Sequence, residues 1–242
     1  LCIPGLLLAL LVWHYVRNTP AQSPRVQHAE LKDYDSAPNP PATVASSLAE
    51  SLRSPTVRWC ALSLFLANIV NWGLMNWLPT YLLQARGFGV EKMGVFAAIT
   101  NFAGAAGSFL GGYLCDTRFA HRLRVPIIGG LLISAGLTAL AAAAPTGESA
   151  VACMVLVFLV SNIALTAIFT LPIVSVPKHA VGGAFGIVNT AGQLAGVLSP
   201  LVVGAILEMT HGSFKIVLYG MVALTFVAVL PAMRIKQTAQ AR

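Results

Sequence analysis

The chain has 242 residues, 57% of them hydrophobic and only 10% charged, with a mean hydropathy of +0.77 and a formal net charge of +7. A water-soluble domain carries about a quarter of its residues as charges, so this composition leaves too little polar surface to coat a soluble globule. The apolar residues come in blocks, and blocks of roughly 18 or more without charge are long enough to cross hydrocarbon as helices.

Leu1–Val16 is apolar from its first residue. A signal peptide places basic residues ahead of its apolar run, whereas no Lys or Arg precedes Arg17 here. The segment reads as the end of a spanning helix, the alternative being a short anchor. Residues 17–55 form a polar linker, in which Pro20, Pro24, Pro38, Pro40 and Pro41 oppose continuous helix. Val44, Leu48 and Leu52 recur every fourth residue, so Ala42–Arg53 is predicted to form a short amphipathic helix on the membrane surface. Residues 56–233 then hold six apolar segments, at about Val57–Leu83, Met93–Leu114, Val125–Ala144, Val151–Pro172, Gly182–Leu207 and Ile216–Met233. None carries Asp, Glu, Lys or Arg well inside it. Residues 234–242 make a tail. The fold class predicted is an all-α membrane protein with a six-helix bundle.

The basic residues fall on alternate sides of these spans. One side collects Arg17, Arg25, Lys32, Arg53, Arg58, Arg118, Arg122, Arg124, Lys178, Arg234, Lys236 and Arg242, and the other only Arg86, Lys92 and Lys215. Twelve against three places the linker, the Cys115–Arg124 loop and the tail in the cytoplasm. That asymmetry accounts for the net charge without a nucleic-acid partner.

Cys2, Cys60, Cys115 and Cys153 lack metal or redox spacing and read as small hydrophobes. His14, His28, His121, His179 and His211 lie in loops or at helix ends with no zinc spacing. No metal or cofactor is expected. Gly182-Gly183-Ala184-Phe185-Gly186 lacks the preceding strand and the lysine of a phosphate loop, and reads as helix packing.

Three helices carry polar stripes at 3.6-residue spacing. They are Asn68, Asn71 and Trp72; Asn162, Thr166 and Phe169; and Asn189 and Gln193 beside Gly192 and Gly196. An amide is costly in hydrocarbon without a partner, so these stripes face protein or a watery cavity. Two readings stay open for them: interhelical hydrogen bonding, helped by the Gly107–Gly111 and Gly192–Gly196 spacings, or a substrate site near mid-membrane. At the end of the second full span, Gly112, Asp116, Arg118 and Arg122 read as a cytoplasmic latch, or as an ordinary charged loop.

This loop, Gly112-Tyr113-Leu114-Cys115-Asp116-Thr117-Arg118-Phe119-Ala120-His121-Arg122, resembles the second-half copy of the Gly-x-Leu-x-Asp-Arg-x-x-x-Arg signature of the major facilitator superfamily, with Thr117 where an arginine is usual. Trp77-Leu78-Pro79-Thr80-Tyr81-Leu82 followed by Arg86-Gly87 is similar to the end of the seventh helix in the anion:cation symporter branch, which moves sugar acids and other organic anions. Gly186-Ile187-Val188-Asn189-Thr190-Ala191-Gly192-Gln193 with Ser199-Pro200 resembles its eleventh helix, Gln193 standing for a second Asn. Phe169-Thr170-Leu171-Pro172 resembles the end of its tenth helix, with Phe169 where the branch often has Trp. The resemblance implies the C-terminal half of a twelve-helix carrier in the inner cell membrane, preceded by the end of its sixth helix. It implies alternating access for a small organic anion, coupled to a proton rather than sodium. Asn68, Asn71, Trp72, Asn162, Thr166, Phe169, Asn189 and Gln193 then form the substrate-contacting set. The cationic and titratable partners would come from the N-terminal half, because the spans from Val57 to Met233 offer neither. A carrier of sugars or drugs is the alternative within the superfamily. A polytopic enzyme would need a paired acid and base, and Asp116 with His121 is the only near pair; an inactive product is the remaining alternative.

Overall fold

The structure, a computed structural model, describes residues 2–16 and 44–235. The linker over 17–43 and the tail over 236–242, with Arg17, Arg25, Lys32, Lys236 and Arg242, lie outside the described residues. Helix α1, Cys2–Tyr15, falls in a separate unit of the chain. From Leu6 onward its large apolar side chains stand exposed, Trp13 at 86%.

The second unit opens with α2, Val44–Arg53, a single amphipathic helix as its periodicity predicts. Its Ser47 and Ser51 are buried against the later chain, while Leu48 and Leu52 point outward. The six spans follow as α3 (Pro55–Thr80, extended by a π-helical turn Tyr81–Ala85), α4 (Val90–Asp116), α5 (Arg124–Ala143), α6 (Gly147–Ser175), α7 (Val181–Met209) and α8 (Phe214–Arg234). All six are long and apolar enough to cross a membrane.

Most helices run a few residues past the apolar runs that predicted them. Hydropathy marks the hydrocarbon-facing stretch, whereas backbone hydrogen bonding continues until a local signal stops it. The expected connectors therefore shrink: α6 ends at Ser175 rather than Pro172, and α7 begins at Val181 after a 3-10 turn, Lys178–Ala180. Helix α5 instead stops one residue short of its expected end. Ala144 is extended because it precedes Pro145, whose ring disfavours the helical conformation. Thr146 and Ser149 then form a reciprocal cap at the start of α6.

Neighbouring helices pack in the order α4, α6, α5, α8, α3, α7, with α3 also against α6 and α6 against α7. Helices α3, α5, α6 and α8 thus enclose the core. One apolar cluster includes Leu64, Ile127, Leu131, Ile168, Leu171 and Val188, and a second Leu74, Leu78, Leu82, Met154, Phe158 and Leu218. Helices α4 and α7 flank the core and are the barest, each 22% buried over its most apolar window.

Because lipid is as apolar as leucine, helices in a bilayer associate through close packing rather than hydrophobic burial. Gly107 meets the Leu159 carbonyl of α6 so closely that any Cβ would overlap it, and Gly111 meets Ile163 and Thr166. The predicted Gly107–Gly111 spacing is therefore the α4–α6 seam. Gly192 and Gly196 likewise form the α3–α7 seam, against Asn68 and Trp72.

At one end, Arg124 donates to the Met233 carbonyl at 2.5 Å, joining the start of α5 to the end of α8. At the other, Arg86 donates to Tyr81 Oη at 2.7 Å and to the carbonyls of Ala144 and Ala141 at 3.0 and 3.3 Å, securing the end of α3 to that of α5. The former end carries Arg53, Arg58, Arg118, Arg122, Arg124, Lys178 and Arg234, and the latter Arg86, Lys92 and Lys215. The expected charge asymmetry persists among the described residues.

Candidate functional site

The three polar stripes separate once the helices are packed. On α3, Asn68 is buried, and its Nδ2 donates to the Gly192 carbonyl of α7 at 3.4 Å. The Trp72 indole lies on Gly196, where an added Cβ would stand 3.2 Å from Nε1. Asn71 turns toward a small cavity walled also by Ser134 and Thr138 of α5, Ser161 of α6 and Thr225 of α8. The single stripe read from spacing is thus two faces, one on α7 and one toward the core.

On α6, Asn162 donates to its own Phe158 carbonyl at 2.8 Å and accepts from Ser108 of α4 at 3.4 Å. Thr166 Oγ1 donates to the Asn162 carbonyl at 2.8 Å, and Gly111 of α4 packs on it. Both residues lie along the α4–α6 seam. Phe169 meets Phe185 of α7 with ring centroids 5.7 Å apart, so its ring bridges α6 and α7.

On α7, Asn189 is half-buried and Gln193 exposed. At 100° per residue Asn189 stands roughly 40° and Gln193 roughly 80° around the helix from the middle of the Gly192–Gly196 face, so both flank the α3 seam. Among the described residues neither side chain has a hydrogen-bond partner, and neither does Asn71; the amides of Asn68 and Asn162 both do.

Helix α4 adds polar groups that periodicity alone had not marked as a site. Asn101 and Ser108 are exposed and seven residues apart, which puts them on one line where its bare side meets the α6 seam and Ser108 reaches Asn162. The seven-residue recurrence was visible in the sequence, but nothing there told the bare side from the seam. The bare sides of α4 and α7 thus present hydroxyls and amides, with no acid or base at mid-span.

Of the residues expected to form a latch, Asp116, Arg118 and Arg122 are all exposed. Among the described residues the ion pairs are Lys92–Glu148 and His179–Glu50, each at 2.6 Å, so Asp116 pairs with neither arginine. Nothing lies within 4 Å of a Cβ placed at Gly112. The structure leaves this loop open. Asp116 and His121 do not bond to one another either, and among the described residues no cluster of His, Cys, Asp or Glu is grouped to hold a metal.

The family model of the Major Facilitator Superfamily matches residues 1–200. The probable sulfoacetate transporter of Cupriavidus necator is 32% identical over 60% of this chain and 35% of its own length. The probable galactarate/D-glucarate transporters GarP of Escherichia coli and GudP of Bacillus subtilis are each 26% identical, over 86% and 88% of this chain and 50% of their own lengths. The chain therefore spans half or less of these curated relatives. Among solved structures, the fucose:proton symporter of Escherichia coli superposes with a TM-score of 0.68 at 20% identity, over 81% of this chain and 46% of that one. An inward-facing, unoccupied bacterial homologue of the human lysosomal transporter Spinster gives 0.58 at 20% identity, over 96% and 55%. At these identities the two structures speak for the fold.

Proposed function

The chain belongs to the Major Facilitator Superfamily, and from that premise we propose that it forms the C-terminal half of a secondary active transporter for a small organic anion, a sugar acid or aromatic carboxylate. The observation that carries this reading is that relatives covering 86% and 88% of the chain are themselves named as sugar-acid transporters. The transport cycle is alternating access, the two halves rocking about a site between them.

In this reading the bare sides of α4 and α7 line the cavity. Asn189 and Gln193 donate and accept hydrogen bonds with substrate hydroxyls and carboxylate oxygens; Asn71 and Trp72 of α3 belong to the neutral set as well, Trp72 from the α3–α7 seam and Asn71 from the small cavity inside the bundle. Asn68, Asn162, Thr166 and Phe169 belong to the same set but stand at the seams, where they hold the wall in place. The substrate's charge needs a cationic partner, and proton coupling, favoured here over sodium, needs a titratable group near mid-membrane. Both come from the N-terminal half. Gly112, Asp116, Arg118 and Arg122 latch that half at the cytoplasmic side, which the open loop supports. The protein sits as a multi-pass protein in the cell's inner membrane, with linker and C-terminus cytoplasmic, as the basic bias supports.

The test is uptake by the chain joined to its N-terminal half in proteoliposomes, under an inward proton gradient, with labelled glucarate, galactarate, an aromatic acid and a neutral sugar. Gradient-dependent accumulation of one acid is expected. Accumulation of the sugar alone removes the organic-anion assignment, and accumulation unaffected by collapsing the gradient removes proton coupling.

A further inference from the structure

At the start of α5, His121, Arg122 and Arg124 wall an open groove of about 620 Å³, which continues along Val125, Ile128 and Gly129. Three features of this groove are unexplained by transport. Among the described residues no carboxylate lines it and the ion pairs lie elsewhere, so Arg122 and Arg124 have no acidic partner there. Arg124 uses one terminal nitrogen on the Met233 carbonyl, yet its Nε is buried with no hydrogen-bond partner among the described residues. A buried N–H without a partner is costly, and a charged one more so. Finally, Val125, Ile128 and Gly129 follow Arg124 at helical spacing up one face of a spanning helix, with Val125 half exposed.

We propose that this groove binds an anionic phospholipid of the cytoplasmic leaflet, its phosphate among His121, Arg122 and Arg124 and one acyl chain along Val125, Ile128 and Gly129. The level fits: Arg124 is the first residue of a spanning helix, which puts the cations at headgroup height and the apolar strip in hydrocarbon. Basic pockets of this kind on the cytoplasmic side suit anionic headgroups. The general excess of Lys and Arg accounts for the number of cations at this end, but not for a groove that joins them to an apolar strip. A free phosphate would satisfy the guanidinium groups and leave that strip uncovered. Arg122 also stands in the latch loop, so a bound lipid would tie that loop to α5.

The test is native mass spectrometry of the chain in neutral detergent, titrated with phosphatidylglycerol or phosphatidylcholine, with inorganic phosphate as competitor. One phosphatidylglycerol is expected to remain bound, roughly tenfold or more tighter than phosphatidylcholine, and each guanidinium removed weakens it roughly fivefold. Arg122→Gln and Arg122→Gln/Arg124→Gln give the series. Because Arg124→Gln also breaks the Met233 bond, His121→Gln/Arg122→Gln, both at exposed positions, carries the test if the other variant does not fold. Equal retention of the two lipids, or unchanged binding by His121→Gln/Arg122→Gln, overturns the proposal. Displacement of the lipid by millimolar phosphate assigns the site to a free anion and overturns it equally.

Discussion

Residues of one chemical type divide here according to what they touch. Asn68 is bonded across a seam, whereas Asn189, half-buried beside the same seam, has no hydrogen-bond partner for its amide among the described residues. Substituting Asn68 by Ala is expected to cost about 0.6 kcal/mol, the typical worth of an interhelical hydrogen bond in a bilayer protein, and to lower the unfolding midpoint. Substituting Asn189 by Ala removes no hydrogen bond among the described residues. It should leave stability within about 0.5 kcal/mol while abolishing uptake by the joined protein. Thermal unfolding in detergent beside uptake separates the two roles. If Asn189→Ala unfolds early and transports normally, that amide is packing. Sequence spacing identified both residues as polar positions in apolar helices. The direction in which each points was illegible, since Asn68, Asn71 and Trp72 are close in angle but reach α7, the core and α7 in turn.

At the scale of elements, glycine placement decides which helices touch. Gly107 brings the α4 backbone against the Leu159 carbonyl, but a Cβ at Gly136 on α5 would meet nothing within 4 Å. Gly107→Ala is therefore expected to push α4 off α6 at a cost of about 1–3 kcal/mol, as overpacked interiors do. Gly136→Ala should be neutral or slightly stabilising, because alanine loses less backbone freedom than glycine in a helix. Equal shifts in unfolding midpoint for the two variants would sink the seam argument. The π-helical turn Tyr81–Ala85 is a second element the apolar run did not foretell. It follows Pro79, and it ends with Arg86 on the last carbonyls of α5. The proline and the arginine are plain in the sequence, but the partner helix that receives the arginine is set by packing.

Across the molecule, α2 shows how a linker helix is fixed to the bundle. Ser51 Oγ donates to the Ser47 carbonyl at 2.7 Å and to the Ala180 carbonyl at 3.0 Å, Glu50 pairs with His179 at 2.6 Å, and Gly183 lies so near that a Cβ would stand 2.7 Å from the Ser47 carbonyl oxygen. Its serine side holds the start of α7 and leaves Leu48 and Leu52 free. That arrangement is compatible with the predicted surface position, since the apolar side remains available to lipid. Gly183→Val is expected to detach α2 and free the backbone at its last residue, the already exposed Arg53, for trypsin, raising the initial cleavage rate there severalfold, in proportion to the population of the opened state. An unchanged rate would show that the close approach at Gly183 is not what holds the helix.

Composition and periodicity by themselves determined the class of this protein, the number and order of its spans, the basic bias between its two ends and the existence of α2. Those properties follow from local chemistry: an uncharged apolar run has no hydrogen-bond partner in lipid for its backbone except itself, so it becomes a helix. Helix ends moved by a few residues because hydropathy reports surroundings and not hydrogen bonding. Only the tertiary structure decided that α4 and α7 keep bare sides, that Asn162 and Thr166 lie in a seam, and that Arg124 opens onto a groove. In a bilayer, packing face and lipid face are about equally apolar, so hydrophobicity cannot tell them apart. That distinction rests on close contacts between residues tens of positions apart in the chain.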